Sequence, residues 1–168
     1  MSVTIRRADL AAEAEEITKL LVDYMTVATE QLLSEFGIED PPTDISGLRA
    51  SLQEYDDPSR ALLVAEDSSG SLVAVAGLRT LEPRVVELKR MYVAPERRGQ
   101  GVGARLLDSL LEEAARMRAS TVRLDTARFM AEAQRLYRSR GFTERTPYQG
   151  TEIPPHLQQH WLFFERRG

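Results

Sequence analysis

The chain has 168 residues, 42% of them hydrophobic and 29% charged, a composition that folds as one ordinary domain and excludes intrinsic disorder. Its 22 Lys and Arg against 26 Asp and Glu leave a net charge of −4, which argues against a nucleic-acid partner held by bulk positive charge. The absence of cysteine excludes disulfides, thiolate nucleophiles and zinc–cysteine sites, and with no apolar run near the roughly 20 residues of a membrane span and no signal-like N-terminal segment, a cytoplasmic protein with no membrane partner is expected.

In chain order, Val3–Arg7 alternates β-branched and polar residues and predicts a strand. Asp9 can cap the long helix that follows, in which Ile17, Leu20, Leu21, Tyr24, Met25, Ala28, Leu32 and Phe36 recur at three- and four-residue steps as far as Gly37. A loop from Glu39 to Asp44 leads to a shorter predicted helix over Ile45–Tyr55, capped by Asp44 or Ser46. After Asp57-Pro58 the period changes to that of strands, over Ala61–Glu66, Leu72–Leu81 and Val85–Val93, joined by short turn-rich links suited to antiparallel hairpins. A glycine-rich loop then opens a helix with Leu106, Leu107, Leu110, Leu111, Ala114 and Ala115 on one face. Ser120–Thr126 predicts a strand, Phe129–Arg140 a helix stopped by Gly141, Phe142–Arg145 a short strand and Trp161–Glu165 a last one.

The order is β-α-α-β-β-β-α-β-α-β-β, without repeats or linkers. The helix between Val93 and Val122 is a βαβ crossover, so those strands are expected parallel and the earlier hairpins antiparallel. The fold class is α/β in the α+β sense: a mixed, mostly antiparallel sheet flanked by helices.

The chemistry concentrates in Val86–Ala104. Gly99, Gly101 and Gly103 let backbone approach a ligand closely, and the helix start behind them offers unpaired N–H groups and a positive dipole end. That is a phosphate-binding device. A P-loop would need Gly-Lys-Ser/Thr where Gly103 is followed by Ala104 and Arg105. A dinucleotide fingerprint would place the third glycine one residue later, near the start of a βαβ repeat.

Arg98-Gly-Gln-Gly-Val-Gly103, preceded by Glu87-Leu-Lys-Arg-Met-Tyr-Val93 and followed by Leu124-Asp-Thr126, Leu136-Tyr-Arg-Ser-Arg-Gly-Phe142 and Phe163-Phe-Glu165, resembles the GNAT superfamily of N-acetyltransferases over almost the whole chain. The resemblance implies acetyl-CoA as acetyl donor and a primary amine of a small molecule or peptide as acceptor, joined directly in a ternary complex. It implies a phosphate cradle from Arg98, Gly99, Gln100, Gly101, Val102, Gly103 and Ala104. It also implies a bulge in Met91-Tyr92-Val93 that splays this strand from the Val122 strand, so that the pantetheine arm bonds the main chain of Met91 and Val93. Family members carry an asparagine shortly after the strand that ends at Thr126, and in its absence Thr126 is the expected substitute.

For catalysis the resemblance points to Tyr137, a phenol able to donate a proton to the departing thiolate, and to Glu87 as general base or water relay. A solvated strand glutamate is the alternative for Glu87. Tyr24 and Tyr148 are candidates for the acceptor pocket. Asp23, Glu30, Glu54, Asp56, Asp57 and Glu152 would favour a cationic amine there. His156 and His160 lack the glutamate of a zinc helix and no metal is expected. Arg135, Arg138 and Arg140 read as a solvated helix face with one able to meet the coenzyme's 3′-phosphate. Homodimers are frequent in the family. The alternative function is an acyl-CoA-binding sensor without catalysis.

Overall fold

A computed structural model describes residues 2–168. It contains a seven-stranded sheet in the order β1-β2-β3-β4-β5-β7-β6, with β1 Val3–Arg7, β2 Arg60–Asp67, β3 Leu72–Glu82, β4 Val85–Val93, β5 Thr121–Ala127, β6 Thr143–Arg145 and β7 Trp161–Arg167. Only the β4–β5 pair is parallel, as the crossover through α3 (Val102–Arg116) requires. The remaining helices are α1 Leu10–Phe36, α2 Ile45–Ser51 and α4 Ala131–Ser139.

Local chemistry sets the helix ends. The Asp9 carboxylate accepts from the Ala12 N–H at 3.1 Å while Glu13 accepts from the Asp9 N–H at 2.8 Å, a reciprocal cap at the start of α1. Gly37 closes that helix in the left-handed region, φ 65°. Asp44, not Ser46, caps α2 by accepting from the Gly47 N–H at 3.0 Å. The helix expected over 45–55 tightens after Ser51 into a 3₁₀ segment, Leu52–Asp56.

Helices cover both faces of the sheet. On one face Leu106, Leu107 and Leu110 of α3 pack with Leu78, Leu124, Phe142 and Phe164. On the other, Ile17, Leu20 and Leu21 of α1 pack with Leu52, Tyr55, Val64, Val75 and Tyr92. Removing this much apolar surface from water is the dominant favourable term in folding. One helical face departs from the simple stripe: Ala115 is exposed and Glu113 is buried instead, held by ion pairs to Arg7 and to Arg116. Among the described residues no helix is long and apolar enough to cross a membrane.

What positions the site is a defect in the sheet. β4 and β5 pair only through Val85–Thr121, Val86–Val122 and Glu87–Arg123, and then part. On the β3 side, Lys89 faces Gly77 and Tyr92 faces Val75, so two steps along β3 meet three along β4. The extra residue is at Arg90, φ 56°, just before the Met91–Val93 segment in which the bulge was expected.

Candidate active site

The parted strands enclose a cavity of about 870 Å³ that runs from the glycine loop to the C-terminal half of α1. At one end Gly99 and Gly101 take φ of 73° and 80°, the left-handed region that glycine enters without strain. Gly101 is the N-cap of α3 and supplies no side-chain cap, so the first-turn amides of Val102, Gly103 and Ala104 are left for an acceptor from outside the helix. A side chain on Gly103 would meet Leu136, Val93 and Met91 at 3.7–3.8 Å, ordinary contact distances. Packing therefore does not demand glycine there; its absent side chain keeps the cradle open. Anionic phosphate at this helix start fits both the free donors and the dipole.

The loop is pre-shaped by its own polar groups. Arg98 donates from Nε to the Val93 carbonyl at 3.0 Å and lays its guanidinium over the Tyr92 ring at 5.4 Å. Gln100 donates to the Glu96 carbonyl at 3.0 Å. Every residue expected in the donor site borders the cavity except Gln100, whose side chain folds the loop. Arg97, not singled out in the sequence, also borders it and donates to Asp67 at 2.5 Å.

Along the middle of the cavity, the β5-facing backbone of residues 88–93 has no strand partner among the described residues. Tyr137 of α4 borders this stretch, buried, with its ring against Phe142 and Phe164. Its hydroxyl has only a weak contact, to the Met91 sulfur at 3.9 Å. Burial, reinforced by the neighbouring Tyr24 and Asp125, pushes its ionisation above the ordinary phenol value, so it stays a proton donor. Thr126 is buried and its hydroxyl lies 3.5 Å from the Met130 sulfur. Gln134 ties the β5–α4 link by donating to the carbonyls of Ala127 and Arg128, both at 3.1 Å.

Glu87 is 1% exposed and does not border the cavity. It accepts from Arg79 Nε at 2.8 Å and from the Tyr148 hydroxyl at 2.6 Å, with Lys89 Nζ at 3.8 Å. Both carboxylate oxygens are thus engaged by protein donors. The solvated alternative fails, because Glu87 is buried. Asp40, Asp125, Glu132 and Glu152 do border the cavity, and of these Asp125 lies on β5 beside Thr126, 3.4 Å from the Thr151 hydroxyl. Burial, and then the charge of Glu87, pushes Asp125 up to about 6.

Residues 17–142 match the sequence profile of the acetyltransferase (GNAT) family. The chain belongs to the GNAT family and is an N-acetyltransferase. It is 28% identical to an uncharacterized N-acetyltransferase of Schizosaccharomyces pombe over 89% of this chain and 93% of that one. Its fold superposes on an acetyltransferase of the GNAT family from Staphylococcus aureus with a TM-score of 0.76, covering 99% of both chains at 20% identity. A Salmonella typhimurium protein solved with its cofactor acetyl-CoA is 25% identical, with a TM-score of 0.71 over 99% of this chain and 94% of that one.

At the far end of the GNAT cavity the sequence expectations need correction. Of the six carboxylates put forward for the acceptor, only Glu152 borders the cavity, and it is bound to Lys89 and lies 3.5 Å from Arg79. Tyr24 borders the cavity and packs on Tyr92, ring centres 5.6 Å apart, whereas Tyr148 stands behind it as the donor to Glu87. Arg135, Arg138 and Arg140 do not border it and pair with Glu132, Glu144 and Asp108. His160 stacks on Phe36 at 4.4 Å, and no grouping of potential metal ligands occurs among the described residues. Asp125, Lys89 and Arg90 are charged residues that border the cavity and were not singled out in the sequence. One signal was present, since two consecutive cations in β4 break its alternation; Asp125 falls in the regular polar alternation of β5 and gives none.

Proposed function

We propose that this GNAT enzyme transfers the acetyl group of acetyl-CoA directly to a primary amine of a small molecule or peptide. The observation that carries the reading is the parting of β4 from β5, which lines up the glycine cradle, the open β4 edge, Tyr137 and Asp125 along one cavity. The α3 amides would hold the pyrophosphate, and the unpaired β4 backbone would bond the pantetheine amides as a strand partner does. The bound coenzyme supplies an activated thioester.

Asp125 takes the proton that an ammonium must lose before its nitrogen can attack the thioester carbonyl. Held near 6, it is ionised at neutral pH yet more basic than an ordinary aspartate. Glu87 acts at one remove: its fixed negative charge, anchored by Arg79 and Tyr148, helps to raise Asp125. Tyr137 donates to the sulfur as the carbon–sulfur bond breaks. The nitrogen–carbon bond forms as the carbon–sulfur bond breaks; of the two protons the ammonium gives up, the first ends on Asp125 and the second, released as the amide forms, replaces the one that Tyr137 gives to the departing thiol.

Thiol release from acetyl-CoA across a panel of primary amines tests this. Turnover on at least one amine is expected. Tight acetyl-CoA binding with no turnover on any of them would identify a sensor.

A further inference from the structure

Resting on that acetyl-transfer reading, the geometry points to the acceptor class: an amine that also carries a carboxylate, as an amino acid does, with Arg90 binding the carboxylate and Asp125 facing the ammonium.

Arg90 is the bulge residue, a non-glycine side chain held at φ 56°, a conformation that L residues with a Cβ adopt only at a cost. The bulge breaks strand alternation, so that Lys89 and Arg90 both border the main cavity. Arg90 also borders a side cavity of about 340 Å³ beneath α2. Its one hydrogen bond to protein is from Nη1 to the Ser51 hydroxyl at 3.0 Å, which leaves most of a five-donor planar fork unused.

Several of the surrounding charges are already matched; Arg90, Asp125 and Asp40, which borders both cavities, are not. Glu87 is taken by Arg79 and Tyr148, and Glu152 by Lys89 and Arg79. Asp40 and Asp44 border the side cavity, yet neither lies within ion-pair distance of the Arg90 guanidinium. Lys89 is neutralised by its two glutamates. On the other parted strand Asp125 has no cation within ion-pair distance either, and its hydrogen bond is to Thr151. The parted strands therefore each carry an unmatched group, a guanidinium on β4 and a carboxylate on β5. A zwitterion satisfies both; a simple amine satisfies one. Guanidinium binds carboxylate in a two-pronged fork, which gives orientation as well as affinity.

The test pairs amino acids with their decarboxylated amines: phenylalanine with phenethylamine, leucine with isoamylamine, lysine with cadaverine. Each is assayed by thiol release at saturating acetyl-CoA. The amino acid should exceed its partner in kcat/KM by roughly tenfold to a hundredfold in at least one pair, the range for a charge-assisted hydrogen-bonded contact. Arg90→Asn, with a residue that tolerates the left-handed region, should abolish that preference by raising the KM for the amino acid alone. Arg90→Lys should retain part of it. Calorimetric acetyl-CoA binding reports that each variant is folded, and the wild-type pairs decide the matter if a variant is not. Amines equal to or better than the amino acids in every pair would overturn the acceptor class and leave acetyl transfer standing. Silence from every compound despite acetyl-CoA binding would overturn both.

Discussion

The two ends of the cavity are made of different material. The proposed donor end is backbone: left-handed glycines, the unpaired amides of α3 and the open edge of β4. The proposed acceptor end is lined by charged side chains, Lys89, Arg90, Asp125 and Glu152, with Glu87 behind them, and each is set by which partners it has or lacks. Backbone devices tolerate changes in the side chains around them. A charge network does not, because every buried group that loses its partner is left uncompensated. Substitutions at the two ends should therefore fail in different ways.

The sharpest separation is expected from Asp125→Asn. It should lower kcat/KM by roughly 10²- to 10⁴-fold, the usual contribution of a general base, and leave acetyl-CoA affinity unchanged by calorimetry. Its effect on stability has the opposite sign. The folded state raises Asp125 from its unfolded value near 3.8 to about 6, so folding disfavours its charged form. That cost is absent below pH 4 and complete above about pH 6. Thermal unfolding at pH 8 should show the variant no less stable than the parent.

Tyr137→Phe comes next, with a loss of roughly 10²-fold in kcat and little change in acetyl-CoA binding. Unchanged turnover would remove the hydroxyl from the reaction.

Gly103→Ala probes the other end. The protein has room for its Cβ, so the helix should form, while the cradle is obstructed and acetyl-CoA affinity falls by about tenfold or more, as expected for losing a charged hydrogen bond. The KM of the acceptor should not move. A change in acceptor KM as large as that for acetyl-CoA would break the distinction between the two ends.

Tyr148→Phe should have the smallest effect on turnover. It removes the donor to a buried carboxylate oxygen and should cost about 1–3 kcal/mol in urea unfolding, with Glu87 still tied to Arg79.

This division also explains what could be read from the sequence. Helix and strand periods, the Asp9 and Asp44 caps and the Gly37 stop are local signals, and the elements they mark form within a few residues of the expected bounds. The glycine loop was legible for the same reason, since three spaced glycines before an amphipathic helix describe a backbone shape by themselves. Glu87 against Asp125 was not legible. Whether Glu87 or Asp125 borders the cavity depends on the β4–β5 register and on the one extra residue at Arg90, and both are settled by tertiary pairing. Glu113 is a similar case: a glutamate on the buried face of α3 is intelligible only once Arg7 from β1 arrives beside it.

The central claim is that Asp125, at the acceptor end, receives the amine proton. The pH dependence of kcat/KM tests it most directly, in the wild type and in Asp125→Asn. The wild-type profile should lose activity as pH falls through about 6, where Asp125 becomes protonated, and the variant's residual activity should lack that acid limb. An acid limb at the same pH in the variant would contradict the account and return the search for the base to another group.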